Sequence, residues 1–245
     1  DGVFTADPRV VPRAQKLAAA TYEEMLELAA AGAKVINIRA VEFARRHGVT
    51  LHVRSSFTQD VGTFISKEHG GEAVEEPIIA GVAGDTSEAK ITVVGVPDIP
   101  GKAAEIFTIV AGAGANIDMI VQNVSVHEAG RTDISFTLPI EDGERTMQAL
   151  EDAREESGFE SLIYDDEIGR LSVVGAGMRT NAGVSAQLFT ALSGAGINIE
   201  MISTSEIRIS VIMRSDILPD AVRAVHRAFG LDGDVDATVY AGTGR

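Results

Sequence analysis

The 245 residues contain no cysteine and no tryptophan, few other aromatics, and far fewer basic than acidic side chains. Without cysteine there is no disulfide framework, no thiolate zinc site and no cysteine nucleophile. That fits a reducing compartment, and a cytoplasmic location is expected. Aromatic residues make up 5% of the chain, so its cores must be built mainly from Val, Ile, Leu and Ala. With 21 Lys and Arg against 36 Asp and Glu, the formal net charge is −15. This argues against sequence-independent nucleic-acid binding, which needs a basic face, and against adhesion to anionic membranes. No apolar run approaches the length that spans a bilayer, and no signal peptide is recognisable. What remains is ordinary for a globular chain: 45% hydrophobic and 23% charged residues, enough length for two or three compact units. The opening Asp1-Gly2-Val3-Phe4-Thr5 has no initiator Met and reads as the inside of a turn, as expected of a fragment or a processed chain.

Before Pro77 two helices are signalled. Thr21 and Glu24 have capping-box spacing ahead of Met25, Leu26, Leu28 and Ala29, and Gly32 closes that run. A second helix, Ala40 to His47, stops at Gly48, and Val49 to Ser55 alternates like a strand. Ser66 to Pro77, with Gly70-Gly71 and several Glu, lacks apolar periodicity and reads as a linker.

Beyond it the sequence repeats. Ile91-Thr92-Val93-Val94-Gly95 returns as Leu171-Ser172-Val173-Val174-Gly175, and Gly101, Phe107, Gly114 and Asn116-Ile117-Asp118-Met119-Ile120 return as Gly183, Phe189, Gly196 and Asn198-Ile199-Glu200-Met201-Ile202. So many matches in order identify a duplicated module. In each copy a strand leads through a glycine turn into a helix. Two strands follow (Ala115–His127 and Thr132–Pro139; Ile197–Ser203 and Ile207–Arg214). A second helix contains Met147 and Leu150 in one copy, and Val222, Val225 and Phe229 in the other, with Pro219 in its first turn. A last strand, Phe159–Tyr164 or Val235–Tyr240, closes the unit. This βαββαβ order predicts an α+β fold of tandem ferredoxin-like modules, with helices on one sheet face and the other face and an edge open to a partner. Ile78 to Val82 is an additional strand signal that could join either sheet.

The turn Pro97-Asp98-Ile99-Pro100-Gly101 joins a strand to a helix N-terminus, where unpaired N–H groups attract a carboxylate and a glycine permits close approach. Asp98 and Asp118 could accept from an ammonium group, and Gln122 and Asn123 add neutral hydrogen-bonding capacity. That combination suits a free amino acid; equally, Asp98 can be a plain helix cap and Asn-Ile-Asp plain turn chemistry. In copy two Glu200 replaces Asp118, and Ser203, Thr204, Ser205 and Glu206 follow. The five histidines, His47, His52, His69, His127 and His226, lack metal-ligand spacing and read as surface or satisfied core residues. Gly112-Ala113-Gly114 and Gly175-Ala176-Gly177 lack the downstream pattern of a phosphate loop.

The repeat with Asp98-Ile99-Pro100-Gly101 and Asn116-Ile117-Asp118 resembles ACT domains, which bind amino acids and control biosynthetic enzymes. Asp1 to Arg9 with Val11-Pro12, Tyr22-Glu23-Glu24-Met25 running to Gly32-Ala33-Lys34-Val35, and Ile202 to Ser210 resemble the aspartate kinases, most of all the actinobacterial type. Together they cover essentially the whole chain. The resemblance implies residues 1–70 as the end of an amino-acid-kinase catalytic domain, 71–80 as linker and leading strand, 81–166 as a first ACT domain and 167–245 as a second. It implies phosphorylation of aspartate by Mg-ATP in the whole enzyme, with ATP lying along Phe4, Thr5, Ala6, Asp7, Pro8, Arg9 and Lys34, where Arg9 and Lys34 neutralise phosphate charge. It also implies feedback inhibition by threonine and lysine. A threonine-like site would use Asp98, Gly101, Asn116, Ile117, Asp118 and Gln122, with Asn198 and Ile199 from a facing module. A lysine-like site would use Asn181, Gly183, Val184, Glu200, Ser203, Thr204 and Glu206. Thr132 and Ser125, expected on neighbouring strands, could transmit the effect of the effectors.

Two departures stand out. The family's Lys-Phe-Gly-Gly-Thr-Ser-type motif, which carries the catalytic lysine, is absent, so no catalytic residue is assigned and this chain alone is expected not to catalyse. Asn181-Ala182-Gly183 stands where relatives often have His-Pro-Gly. No metal site is assigned. Expected partners are the two effectors and either a second copy or a catalytic α chain, through the ACT domains, with no nucleic acid and no membrane. The alternative is a separate non-catalytic regulatory subunit; an ACT protein of unrelated chemistry would leave Asp1–Arg9 unexplained.

Overall fold

A computed structural model of the chain describes residues 1–68, 78–124 and 130–237. It divides into two compact units, Thr86–Gly169 and the combination of Asp1–Asp85 with Arg170–Arg245. The linker around Gly70-Gly71, Ser125, His69 and His127 lie outside the described residues.

In the larger unit, β1 (Ala19–Thr21) leads into α1 (Tyr22–Ala30). The capping box forms as its spacing predicts: Thr21 Oγ1 accepts from the Glu24 N–H while the Glu24 carboxylate accepts from the Thr21 N–H. Asn37 caps α2 (Ile38–His47), and Gly48 ends it at φ 64°. β2 (Leu51–Val53) pairs antiparallel and β1 pairs parallel with β3 (Thr63–Ser66). Val3, Tyr22, Met25, Leu28, Val41, Ala44 and Ile65 form the core beneath these helices.

Next comes β4 (Gly81–Asp85). Then the smaller unit runs β5 (Glu88–Pro97), α3 (Lys102–Gly112), β6 (Ile120–Val124), β7 (Arg131–Pro139), α4 (Ile140–Asp152), the short α5 (Arg154–Ser157) and β8 (Ser161–Asp165). Its sheet order is β6-β7-β5-β8, the ferredoxin-like arrangement expected for copy one. Along β5, Ala89, Ile91 and Val93 are buried while Lys90, Thr92 and Val94 are half-buried, so one face meets Ile106 and Val110 of α3 and Leu150 of α4. A bulge between Val93 and Val96 is made possible by Gly95 at φ 68°, whose N–H donates to Asp133 Oδ1 at 2.9 Å.

Copy two runs β9 (Ile168–Val174), a 3₁₀ turn (Ala176–Arg179), α6 (Val184–Gly194), β10 (Met201–Thr204), β11 (Arg208–Arg214) and α7 (Leu218–Ala228), with Pro219 in the first turn of α7. Its sheet order is β10-β11-β9-β4. Among the described residues the fourth strand is therefore β4 rather than any part of the expected Val235–Tyr240; β4 precedes copy one and pairs antiparallel with β9 from Gly81↔Val174 to Asp85↔Arg170. The boundary expected at residue 81 moves accordingly: the leading strand belongs to the second copy's sheet. Residues after α7 instead run beside the amino-terminal segment, with Gly233 N–H donating to Arg13 O and Ala237 N–H to Pro12 O, both at 2.7 Å. Residues 238–240 lie outside the described residues. The physical reason is burial. Val82 fills the copy-two core with Leu171, Val173, Leu188 and Val225, whereas Val235 is 78% exposed.

Candidate functional site

In the smaller unit the β5–α3 turn opens a cavity of about 350 Å³ lined by Val96 to Ala103, Gln122, Thr132 and Ile134. Gly101 is the N-cap of α3 at φ 100°, and no side chain caps that helix, so Asp98 is not the cap it could have been. Asp98 is exposed, and its N–H donates to Gly130 O at 2.8 Å. A Cβ built on Gly101 meets nothing within 4 Å, so the backbone there faces open space. Asp98, Gly101 and Gln122 are thus brought to one cavity, with an uncapped helix start for a carboxylate and side-chain oxygens for an ammonium.

Asn116, Ile117 and Asp118 are not part of it. Register places them beyond Ile120↔Phe136, where the Asp118 N–H donates to Thr137 O, at the end of the sheet opposite Gln122↔Ile134. Ile117 packs on the core and the other two are exposed. A second, wider recess of about 560 Å³ lies among Arg131, Arg154 and acidic residues of α4, α5 and β8. Its guanidiniums are already engaged, Arg131 by Glu160 at 3.2 Å and Arg154 by Glu151 at 3.0 Å.

The equivalent turn in copy two is built differently. Gly183 sits at φ −80° and is not left-handed. Asn181 Nδ2 donates to Gly177 O at 2.9 Å, and Val184 is buried in the core. Glu206 pairs with Arg179 of the 3₁₀ turn at 3.2 Å. Ser203 and Thr204, on β10, pair with Ser210 and Ile209. Asn198, Ile199 and Glu200 lie toward the other end of the sheet, where the Glu200 N–H donates to Ile212 O. The turn itself is covered. A Cβ on Gly175 would fall 2.3 Å from Ile78 O, and Ala176 N–H donates to Glu24 Oε1 at 3.1 Å. One carboxylate, fully buried, thereby caps α1 with Oε2 and holds the copy-two turn with Oε1. Arg208 pairs with Glu27 at 3.2 Å and Arg170 donates to Ala30 O at 2.8 Å, so α1 is fastened across this sheet. Sequence reading missed these contacts because the bonds from α1 join residues 140 or more positions apart.

In the segment Phe4–Arg9, Phe4 is half-buried under Lys16, Thr5 and Ala6 are buried, Pro8 is half-buried, and Asp7 and Arg9 are exposed. The Asp7 carboxylate grips Arg9 through Nε and one terminal nitrogen at 2.7–3.2 Å, and this hydrogen bonding holds the Asp7 carboxyl below its usual range. The second terminal nitrogen of Arg9 takes no part in this grip. Lys34 is exposed in the turn after α1. No group of three or more metal-ligating side chains is found among the described residues, and none of their helices is long and apolar enough to cross a membrane.

Residues 91–153 and 171–229 match the family model of the ACT domain, and residues 1–55 that of the amino acid kinase family. The aspartokinase of Mycobacterium tuberculosis is 55% identical over all 245 residues, which span 58% of that protein. The regulatory subunit of aspartate kinase from Thermus thermophilus is 40% identical with a TM-score of 0.58, over 62% of this chain and 99% of that one. In fold alone, the aspartate kinase of Clostridium acetobutylicum matches 93% of this chain and 52% of its own at a TM-score of 0.81 and 24% identity.

Proposed function

Because the chain belongs to the aspartokinase family, we propose that it is the effector-sensing portion of an enzyme that phosphorylates the β-carboxylate of L-aspartate with Mg-ATP, and that threonine and lysine inhibit it. The observation that carries this reading is the open cavity beside Gly101, where an uncapped helix start, Asp98 and Gln122 offer partners to both charged groups of a free amino acid. A bound effector favours one assembly, and that assembly holds the kinase inactive. The assembly is a dimer or an α/β complex made through the ACT domains. The copy-one sheet has a face suited to that role: register aligns Val121, Ser135, Thr92 and Ile163 opposite the helices, with Ile163 54% exposed.

Phe4–Arg9 and Lys34 are the residues here that would hold Mg-ATP. Their chemistry fits, since Arg9 keeps a donor free of Asp7 and Lys34 is exposed. Mg-ATP supplies the phosphoryl group, and the role of these residues is to bind and orient it. Residues 1–245 alone do not phosphorylate aspartate in this reading, since the lysine motif needed to clamp the reacting groups is absent from them. The alternative of a separate regulatory subunit is favoured by the near-complete coverage of the Thermus thermophilus subunit. The match of residues 1–55 to the amino acid kinase family weighs against it.

The test is the thermal midpoint of the chain with threonine, lysine, both, and leucine as control. A rise with threonine or the pair is expected, because a ligand of the folded state must stabilise it. No rise at millimolar effector, with a dimer present, would remove the sensing role.

A further inference from the structure

Between the amino-terminal segment and the last helix of copy two lies a three-residue relay. His226, on α7, is fully buried. Its Nδ1 lies 2.8 Å from Asp232 Oδ1, and its Nε2 lies 2.8 Å from Thr5 Oγ1. Thr5 Oγ1 also accepts from the Gln15 N–H at 2.9 Å, so its own proton is available to His226. A carboxylate on one side and a hydroxyl donor on the other are both satisfied by a single tautomer, neutral with the proton on Nδ1.

The order hydroxyl, imidazole, carboxylate is that of a nucleophile with its base. Thr5 is 5% exposed and its hydroxyl is fully engaged, so hydrolysis is not its use. The rest of Thr5 is equally held: its N–H donates to Gln15 O at 2.8 Å, and its C=O accepts from the Val82 N–H of β4 at 2.7 Å. Every polar atom of Thr5 is thereby bonded, and two of the partners, Val82 and His226, belong to the copy-two module. Asp232 is anchored in turn, its carbonyl accepting from Gln15 Nε2 at 2.9 Å. A core histidine that merely needed partners could find them within its own module. This one reaches a residue 221 positions away, two residues before Asp7 and four before Arg9.

We propose that His226 is a positioning residue for the nucleotide-binding stretch: through Thr5, with Asp232 fixing its tautomer, it holds Phe4–Arg9 where Arg9 meets phosphate. This rests on the reading of Phe4–Arg9 given above. It makes the copy-two module a structural part of the nucleotide site, so that movement of α7 is felt at Thr5.

Two measurements decide it. In the 245-residue chain, nitrogen-15 spectra of the imidazole should show a neutral ring protonated on Nδ1. Amide exchange at residues 3–11 should accelerate about three- to tenfold in Thr5→Val and His226→Leu, the loss of one neutral hydrogen bond, with little change in Thr5→Ser and none in β5 or β7. Thr5→Val is close to isosteric and keeps the test usable should His226→Leu fail to fold. In the full-length enzyme the same variants should raise KM for ATP by a similar factor while leaving KM for aspartate and the threonine midpoint in place. An imidazole protonated on Nε2, exchange unchanged at residues 3–11, or a uniform rise across the molecule would each overturn the proposal, as would an unaltered KM for ATP. A wild-type enzyme with no ATP-dependent phosphorylation of aspartate would instead overturn the functional reading, and the spectra and exchange would still decide the relay.

Discussion

The two ACT copies share a pattern of residues but differ in what their equivalent surfaces meet. In copy one the outer sheet face carries Thr92, hydrogen-bonded to Ser135 at 2.9 Å and half-buried, and the β5–α3 turn opens on solvent. In copy two the same positions are Ser172 and Ser210, bonded at 2.8 Å and fully buried, and every residue of β9 is buried. The difference is α1. Arg170, Ser172 and Val174 share the face on which Arg170 reaches Ala30 O and Val174 packs among Met25 and Leu28. One copy offers its surfaces outward, and the other spends them on the amino-terminal segment. Duplication followed by such a division lets one fold keep an open turn in one copy and bury the equivalent turn in the other.

The largest expected effect tests the borrowed strand. Val82→Asp buries an unpaired carboxylate in the copy-two core and should cost more than about 3 kcal/mol. Amide exchange is expected to collapse over β9, β11 and α7 while β5 and β7 keep their protection. Loss of protection in β5 and β7 alone would mean that β4 serves the first copy.

Next comes the carboxylate that joins α1 to the copy-two turn. Glu24→Ala removes a helix cap and leaves the Ala176 N–H without this acceptor, a loss of about 2–3 kcal/mol. Urea unfolding of the larger unit should register it, with the proposed threonine affinity of the copy-one cavity unchanged. A threonine affinity that fell in parallel would contradict the independence of the two turns.

A smaller contrast lies in the aligned glycines. Gly101 at φ 100° cannot take a side chain without strain, so Gly101→Ala should cost about 1–2 kcal/mol. Gly183 at φ −80° has no such demand and no atom within 4 Å of a new Cβ. Gly183→Ala should therefore gain roughly 0.4–1 kcal/mol by restricting the unfolded chain. Thermal midpoints moving in opposite directions would establish that the two turns have diverged.

Much of this fold is legible locally. The Thr21–Glu24 box, Gly48 after His47, Pro219 opening α7 and the Ala89–Val93 alternation each state their element within a few residues. So does the internal repeat. What escapes is decided over distance. Gly81–Asp85 is a five-residue strand without alternation, and nothing within it says that it will pair 85 to 93 positions onward rather than with its neighbour. β1 and β3 are three and four residues long, and their parallel pairing joins segments more than 40 positions apart. At the site, half the expected set gathers at Gly101 because turn and strand end are adjacent in any ferredoxin-like unit. Asn116–Asp118 fall at the opposite end because the helix between must run the length of the sheet. His226 reads as a satisfied core residue, and so it is; its partner Thr5 is beyond any local pattern.

The smallest effect is a pH dependence, and it too separates the copies. Burial pushes the His226 imidazole below its ordinary value of 6.5, and the hydrogen bond to Asp232 only partly opposes this. Asp232 faces Nδ1 and is shared with Arg227 at 3.9 Å, while Thr5 faces Nε2. The folded state therefore holds fewer protons than the unfolded state between the depressed value and 6.5. Stability of the larger unit is complete above that window, declines as pH falls through it, and levels off once the folded imidazole is also protonated. The relay breaks on the same descent, since an imidazolium Nε2 can no longer accept from Thr5. Unfolding followed between pH 8 and pH 5 should show the wild-type chain losing stability relative to His226→Leu, with the copy-one sheet indifferent to the substitution. A parallel decline in both proteins would mean that other histidines or carboxylates set the acid response, and that His226 does not titrate on unfolding.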